Sequence, residues 1–151
     1  MSKAFESLSL NEACKAQYEA VLTNGFEHQP IASKLMLIVS ELSEAMEADR
    51  HNRHADIESW CNEIPITVQS IADDEILYRK PDGHLTDKES AQQMCVRAFE
   101  KHIKDTFEDE IADAFLRLMD LCGEYNIDIE WHIKSKAAYN QTRPIKHGKA
   151  Y

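Results

Sequence analysis

Two short acidic signatures, Glu41-Leu42-Ser43-Glu44 and Glu110-Ile111-Ala112-Asp113, constrain this chain more than anything else in it. Each sets two carboxylates three residues apart inside an apolar stretch with helical spacing. On a helix, positions i and i+3 share a face. Two such helices side by side would aim four carboxylates at one point. Crowded carboxylates repel each other and lose hydration. A hard divalent cation, Mg²⁺ or Mn²⁺, explains such a cluster best.

The spacing around each pair supports the helices. Leu35, Ile38, Val39, Leu42, Ala45 and Met46 form an apolar stripe, with Glu41 and Glu44 beside it on a line with Leu37 and Ala48. Around the second pair, Ile111, Ala112, Ala114, Phe115, Leu116, Leu118, Met119, Leu121 and Cys122 cover most of the circumference. A helix apolar nearly all round is expected to be buried, leaving Glu110, Asp113, Arg117 and Asp120 as a narrow polar strip. Buried acids need partners or a metal. The competing reading of either pair alone is a solvated helix face.

The remaining elements follow from capping and turn chemistry. Ser9-Leu10-Asn11-Glu12 is a capping box, and the helix it opens should stop near Asn24-Gly25. A second helix is expected from Pro30 to about Arg50. A third should open at the box Thr86-Asp87-Lys88-Glu89 and run, with an interruption, to Cys122, with Gly123 as its stop. A fourth is expected from Asp128 to about Asn140, ended by Pro144. Residues 51–85 stay open between a hairpin, a lid and an irregular loop. There, Ile64-Pro65-Ile66-Thr67-Val68 mixes β-branched residues with a proline, and Lys80-Pro81-Asp82-Gly83 reads as a turn.

The expected fold is all-α, a single domain over 151 residues, with an irregular or short-β insertion at 51–85. Only four Gly and four Pro argue against a loop-rich β fold. The formal net charge of −10 speaks against nucleic-acid polymers and anionic membranes as partners, but not against a nucleotide held through a cation. Cys14, Cys61, Cys95 and Cys122 form no CxxC pair; Cys14 and Cys122 fall among apolar residues and are expected to be reduced core thiols. The first residues carry no signal-like apolar run and no stretch is long enough to span a membrane, so a cytoplasmic location is expected.

On this acidic background a basic tail stands out. Lys136 and Asn140 share a helical face, and Arg143, Lys146, His147 and Lys149 follow. Such groups suit phosphate oxygens, although a basic C-terminus also balances a helix dipole. Together with an acidic metal cluster they suggest a site for a metal–polyphosphate. Trp60 is the better candidate to stack on a nucleobase, since Trp131 on the fourth helix reads as core. His51-x-x-His54 with Asp56, and Asp73-Asp74-Glu75, are weaker metal candidates that read first as solvated loops. Asp120 is expected to pair with Arg117 or reach the site.

Glu41-Leu42-Ser43-Glu44-Ala45, Asp109-Glu110-Ile111-Ala112-Asp113 and Lys136-x-x-x-Asn140-x-x-Arg143-Pro144-x-x-His147-Gly148-Lys149 resemble the MazG-like, all-α nucleoside triphosphate pyrophosphohydrolases. The resemblance covers the second helix and the chain from about Phe107 onward. It implies a helical bundle assembled as a homodimer or homotetramer. It also implies Mg²⁺-dependent cleavage of a nucleoside triphosphate to the monophosphate and pyrophosphate, of a house-cleaning type or like the dUTPase, dCTPase or phosphoribosyl-ATP members. Carried over by motif, Glu41, Glu44, Glu110 and Asp113 would hold metal, and Lys136, Asn140 and Arg143 would contact substrate. Glu44, farther from the apolar stripe than Glu41, is the first choice for the general base. The chain departs from the family in the long connection, residues 45–109, between its acidic helices; insertions of this kind are thermodynamically tolerated. A di-iron bundle would need inward Glu-x-x-His motifs, which are absent from the sequence. A non-catalytic helical interaction module is the remaining alternative.

Overall fold

The computed structural model describes residues 8–69 and 76–143. Asp73-Asp74-Glu75, Pro144, Lys146, His147 and Lys149 lie outside these. Among the described residues are six helices and one small sheet: α1 (Leu10–Thr23), α2 (Ile31–Arg50), α3 (Ile57–Glu63), β1 (Ile66–Gln69), β2 (Ile76–Arg79), β3 (Leu85–Thr86), α4 (Lys88–His102), α5 (Phe107–Glu124) and α6 (Ile129–Gln141). The chain is thus mainly helical, and the insertion contains a short antiparallel sheet. It forms two compact units. One takes in α1, α2 as far as Ile38, α5 from Phe115, and α6; the other runs from Val39 to Ala114.

In the first unit, α1 packs against α6 and their starts are joined. Ser9 and Glu12 close the capping box on α1. The Leu10 amide donates to Glu130 Oε1 at 2.6 Å, and Asn11 Nδ2 donates to Asp128 Oδ1 at 2.7 Å. Asp128 also caps α6 by accepting the Trp131 amide. The Glu130 amide in turn donates to Asn11 Oδ1 at 3.3 Å, so each helix satisfies an amide of the other. Gly123 does not stop α5; it lies within it. A Cβ there would stand 2.2 Å from the Cys14 carbonyl oxygen and 2.8 Å from Tyr18 Cβ, so the glycine permits α1 to approach. Cys14 and Cys122 are buried beside it as free thiols that hydrogen-bond to each other, and burial pushes both thiols up.

In the second unit, α3 packs on α4, and α4 also meets β2. The sheet order is β1-β2-β3, with Ile66 opposite Arg79 and Tyr78 opposite Thr86. Gly83, at φ 90°, allows the tight return between β2 and β3. Asp87, not Thr86, caps α4: its side chain accepts the Ser90 amide while Thr86 closes β3. The interruption before α5 is a turn containing Asp105 at φ 59°.

Three expectations about helix faces are corrected. On α2 the buried residues are Lys34, Ile38, Glu41, Ala45 and Ala48, a 4-3 alternation that defines the inward line. Leu35, Val39, Leu42 and Met46 of the expected stripe point outward. α5 is not enclosed either: Ile111, Phe115, Leu116 and Leu118 are exposed, while Glu110, Ala114 and Leu121 face inward. Trp131, expected in the core, is 59% exposed, because all of α6 from that residue on is exposed.

Candidate metal-binding carboxylate site

Within the second unit, α2 and α5 bring their acidic residues together. One carboxylate oxygen each from Glu41, Glu110 and Asp113 lies within 4.8 Å of the others. Glu41 and Glu110 are both 6% exposed and sit on the inward lines of their helices, whereas Asp113 is exposed at the rim. Glu44 is exposed, outside this triad, and accepts a hydrogen bond from Ser40 Oγ at 3.3 Å.

Local structure holds the acids in place. Thr106 Oγ1 accepts the Asp109 amide, and Asp109 Oδ2 accepts the Asp105 amide, so the first turn of α5 is capped just before Glu110. The segment after α2 is tied to this turn. The Phe107 amide donates to the Arg53 carbonyl at 3.0 Å, and Glu108 accepts from the Ala55 amide at 2.9 Å. His54 Nδ1 lies 3.1 Å from the same Glu108 carboxylate. His51 pairs with Glu47 and Asp56 caps α3, so these three residues carry structural contacts with acids and amides.

The electrostatic consequence falls on Glu110. Burial first, and then the charges of Glu44, Glu41, Asp109 and Asp113, push its carboxyl up from 4.5 to about 7. Although outside the triad, Glu44 is the neighbouring charge that acts most on Glu110.

The donor chemistry fits a hard cation. Three carboxylates converge, two of them shielded from water, and oxygen-only sets are what Mg²⁺ and Mn²⁺ take. Two of the three oxygens are buried and the third, from Asp113, is exposed.

The other expected site residues are not members of this triad. Lys136, Asn140 and Arg143 are exposed in the first unit, at the end of α6. Lys136 Nζ stands 5.2 Å from the centre of the Tyr139 ring, and the Asn140 carbonyl accepts the Arg143 amide. Trp60, on α3, is half-buried; its indole N–H is enclosed without a hydrogen-bond partner among the described residues.

A second polar cluster was not foreseen. In the first unit Lys34 of α2 is buried and reaches Asp120 of α5 at 2.5 Å; it also pairs with Glu124, which His28 approaches from the other side. Burial alone would lower the Lys34 ammonium, but Asp120 and Glu124 more than offset it and raise it above the ordinary lysine value. Burial pushes Glu124 up, and Lys34 and His28 pull it net below the usual range. Asp120 therefore has a cationic partner from another helix. The available signal was a lysine on the heptad line through Ile38, Glu41 and Ala45.

No protein-family model, curated protein or solved structure matches the chain.

Proposed function

We propose that the chain is a Mg²⁺-dependent hydrolase of nucleoside triphosphates that releases the monophosphate and pyrophosphate. The observation that carries this reading is the convergence of Glu41, Glu110 and Asp113 from two helices 69 positions apart in sequence, two of them buried. Clustering buried carboxylates costs free energy unless a cation offsets it. A bound Mg²⁺ would supply charge neutralisation and Lewis acidity toward phosphate oxygens. Glu41, Glu110 and Asp113 would hold it, and Mn²⁺ suits the same donors.

The remaining roles follow from exposure and charge. Glu44 borders the triad and faces water, which suits a base that takes the proton from the attacking water molecule. Glu41, being buried in the triad, is the second choice. A homo-oligomer belongs to this reading, since the apolar surfaces of α2 and α5 are uncovered in one chain. Among the described residues no helix is long and apolar enough to cross a membrane, and a cytoplasmic enzyme is proposed.

The test is a panel of nucleotides incubated with Mg²⁺, with monophosphate and pyrophosphate measured separately. Equimolar release of the two is expected. Asp113→Asn, which keeps the shape and removes a charge, should lower turnover by roughly 10²-fold or more. Wild-type hydrolysis by this variant, with unchanged Mg²⁺ dependence, would refute the site.

A further inference from the structure

Cys14 of α1 and Cys122 of α5 take no part in the carboxylate site, yet they are placed as a pair. They are 2% and 8% exposed, carry free thiols and hydrogen-bond to each other across the two helices. Gly123 lets the backbones meet at this point, since even a Cβ there would stand 2.2 Å from the Cys14 carbonyl oxygen. Two sulfurs in contact on backbones this close satisfy the first condition for a disulfide, a short span. The other free cysteines, Cys61 and Cys95, lie on α3 and α4 in the second unit. The buried residues of α1 are Ala13 and Cys14, so little apolar burial opposes its opening.

We propose that Cys14 and Cys122 form a redox modification site, at which hydrogen peroxide converts the two thiols to a disulfide that fastens α1 to α5. While α1 is docked, burial excludes the oxidant and pushes both thiols up, so they stay protonated. Opening of α1 exposes them. Cys122, the more exposed of the two, reacts first. Its thiolate attacks peroxide; the S–O bond forms, the O–O bond breaks, and the departing hydroxide takes up the thiol's proton as water. Cys122 then carries a sulfenic acid. As α1 returns, the Cys14 thiolate attacks that sulfur; the S–S bond forms, the S–O bond breaks, and a second water leaves. Two thiols and one peroxide thus give one disulfide and two waters, with two electrons passing from sulfur to peroxide oxygen. A thiol reductant reverses the change. The crosslink joins positions 14 and 122, so it encloses most of the chain and restricts the unfolded state more than the folded one. The inference rests on the first unit and is independent of the hydrolase reading.

Peptide mapping of the full chain tests it. After limiting hydrogen peroxide and a catalase quench, the chain is unfolded, alkylated and digested without reductant. A linked Cys14–Cys122 peptide is expected, absent before treatment and lost with dithiothreitol. The oxidised chain should melt about 5 °C or more above the reduced one. Cys61→Ser/Cys95→Ser, which keeps the inner pair, should behave as the wild type does. In Cys14→Ser the rise should vanish, and dimedone should label a sulfenic acid on Cys122. Three results would each overturn the proposal: Cys14 and Cys122 recovered as free thiols at peroxide doses that oxidise the exposed Cys61, either one carried to sulfinic acid without the link, or a link that lowers the melting midpoint.

Discussion

Glu110 is the residue on which the account can be tested without any substrate. Its folded-state value is raised to about 7 from 4.5, so the native state binds its proton more tightly than the unfolded chain does. The stability this gives is complete below 4.5 and is lost as pH rises through about 7. Other carboxylates act in the opposite sense: Lys101 and His102 lower Glu63, and Asn11 and Trp131 lower Asp128. The comparison must therefore isolate Glu110. In a metal-free buffer, subtracting the melting curve of Glu110→Gln from that of the wild type should leave a destabilisation that grows between pH 4.5 and 7. Millimolar Mg²⁺ should shrink the difference; a flat difference would mean that the crowding is absent. Lys34 makes a second prediction at this scale. Lys34→Met strands Asp120 and Glu124 as buried charges without their cation, which costs about 3–5 kcal/mol. Chemical denaturation at neutral pH measures it, and a loss below about 1 kcal/mol, the size of an exposed pair, would contradict the burial.

The helices show what a sequence can and cannot disclose. α1 and α6 were legible because caps are local: Ser9 with Glu12, and Asp128, announce their own helices. The start of α2 was legible from Pro30, a first-turn residue. Its inward face was legible only in part. Hydrophobicity selected Ile38 and Ala45, which are inward, but also Leu35, Val39, Leu42 and Met46, which are exposed; it passed over Lys34, whose partners Asp120 and Glu124 lie on α5. Periodicity finds the most apolar face, and here that face is uncovered within one chain. The sheet was legible only as one of three options for residues 51–85, because β1 opens after a proline and β3 has two residues, too short for an alternation to register. The carboxylate triad was legible in three of its expected members, while Glu44's place outside it depends on how the two helices face each other. Gly123 read as a stop because glycine usually ends helices; its contact with Cys14 is long-range. Gly123→Ala should therefore destabilise the chain by about 1–3 kcal/mol by overpacking against α1. An alanine that stabilises, as in an open helix, would contradict that contact.

For the whole molecule, an acidic chain of net charge −10 with crowded carboxylates should be a ligand for cations before it is anything else. A scaffold with a merely solvated acidic face would gain little from millimolar Mg²⁺. A chain with a built site gains about 2.7 kcal/mol when the ion is at a hundred times its dissociation constant. The most direct measurement is a Mn²⁺ titration followed by electron paramagnetic resonance, which reads the loss of free-ion signal. Wild type should bind Mn²⁺ with Mg²⁺ competing, and Glu110→Gln and Asp113→Asn should each weaken binding at least tenfold. Binding unchanged in both variants, or no binding by the wild type at millimolar Mn²⁺, would contradict the assignment of Glu41, Glu110 and Asp113 as a metal centre.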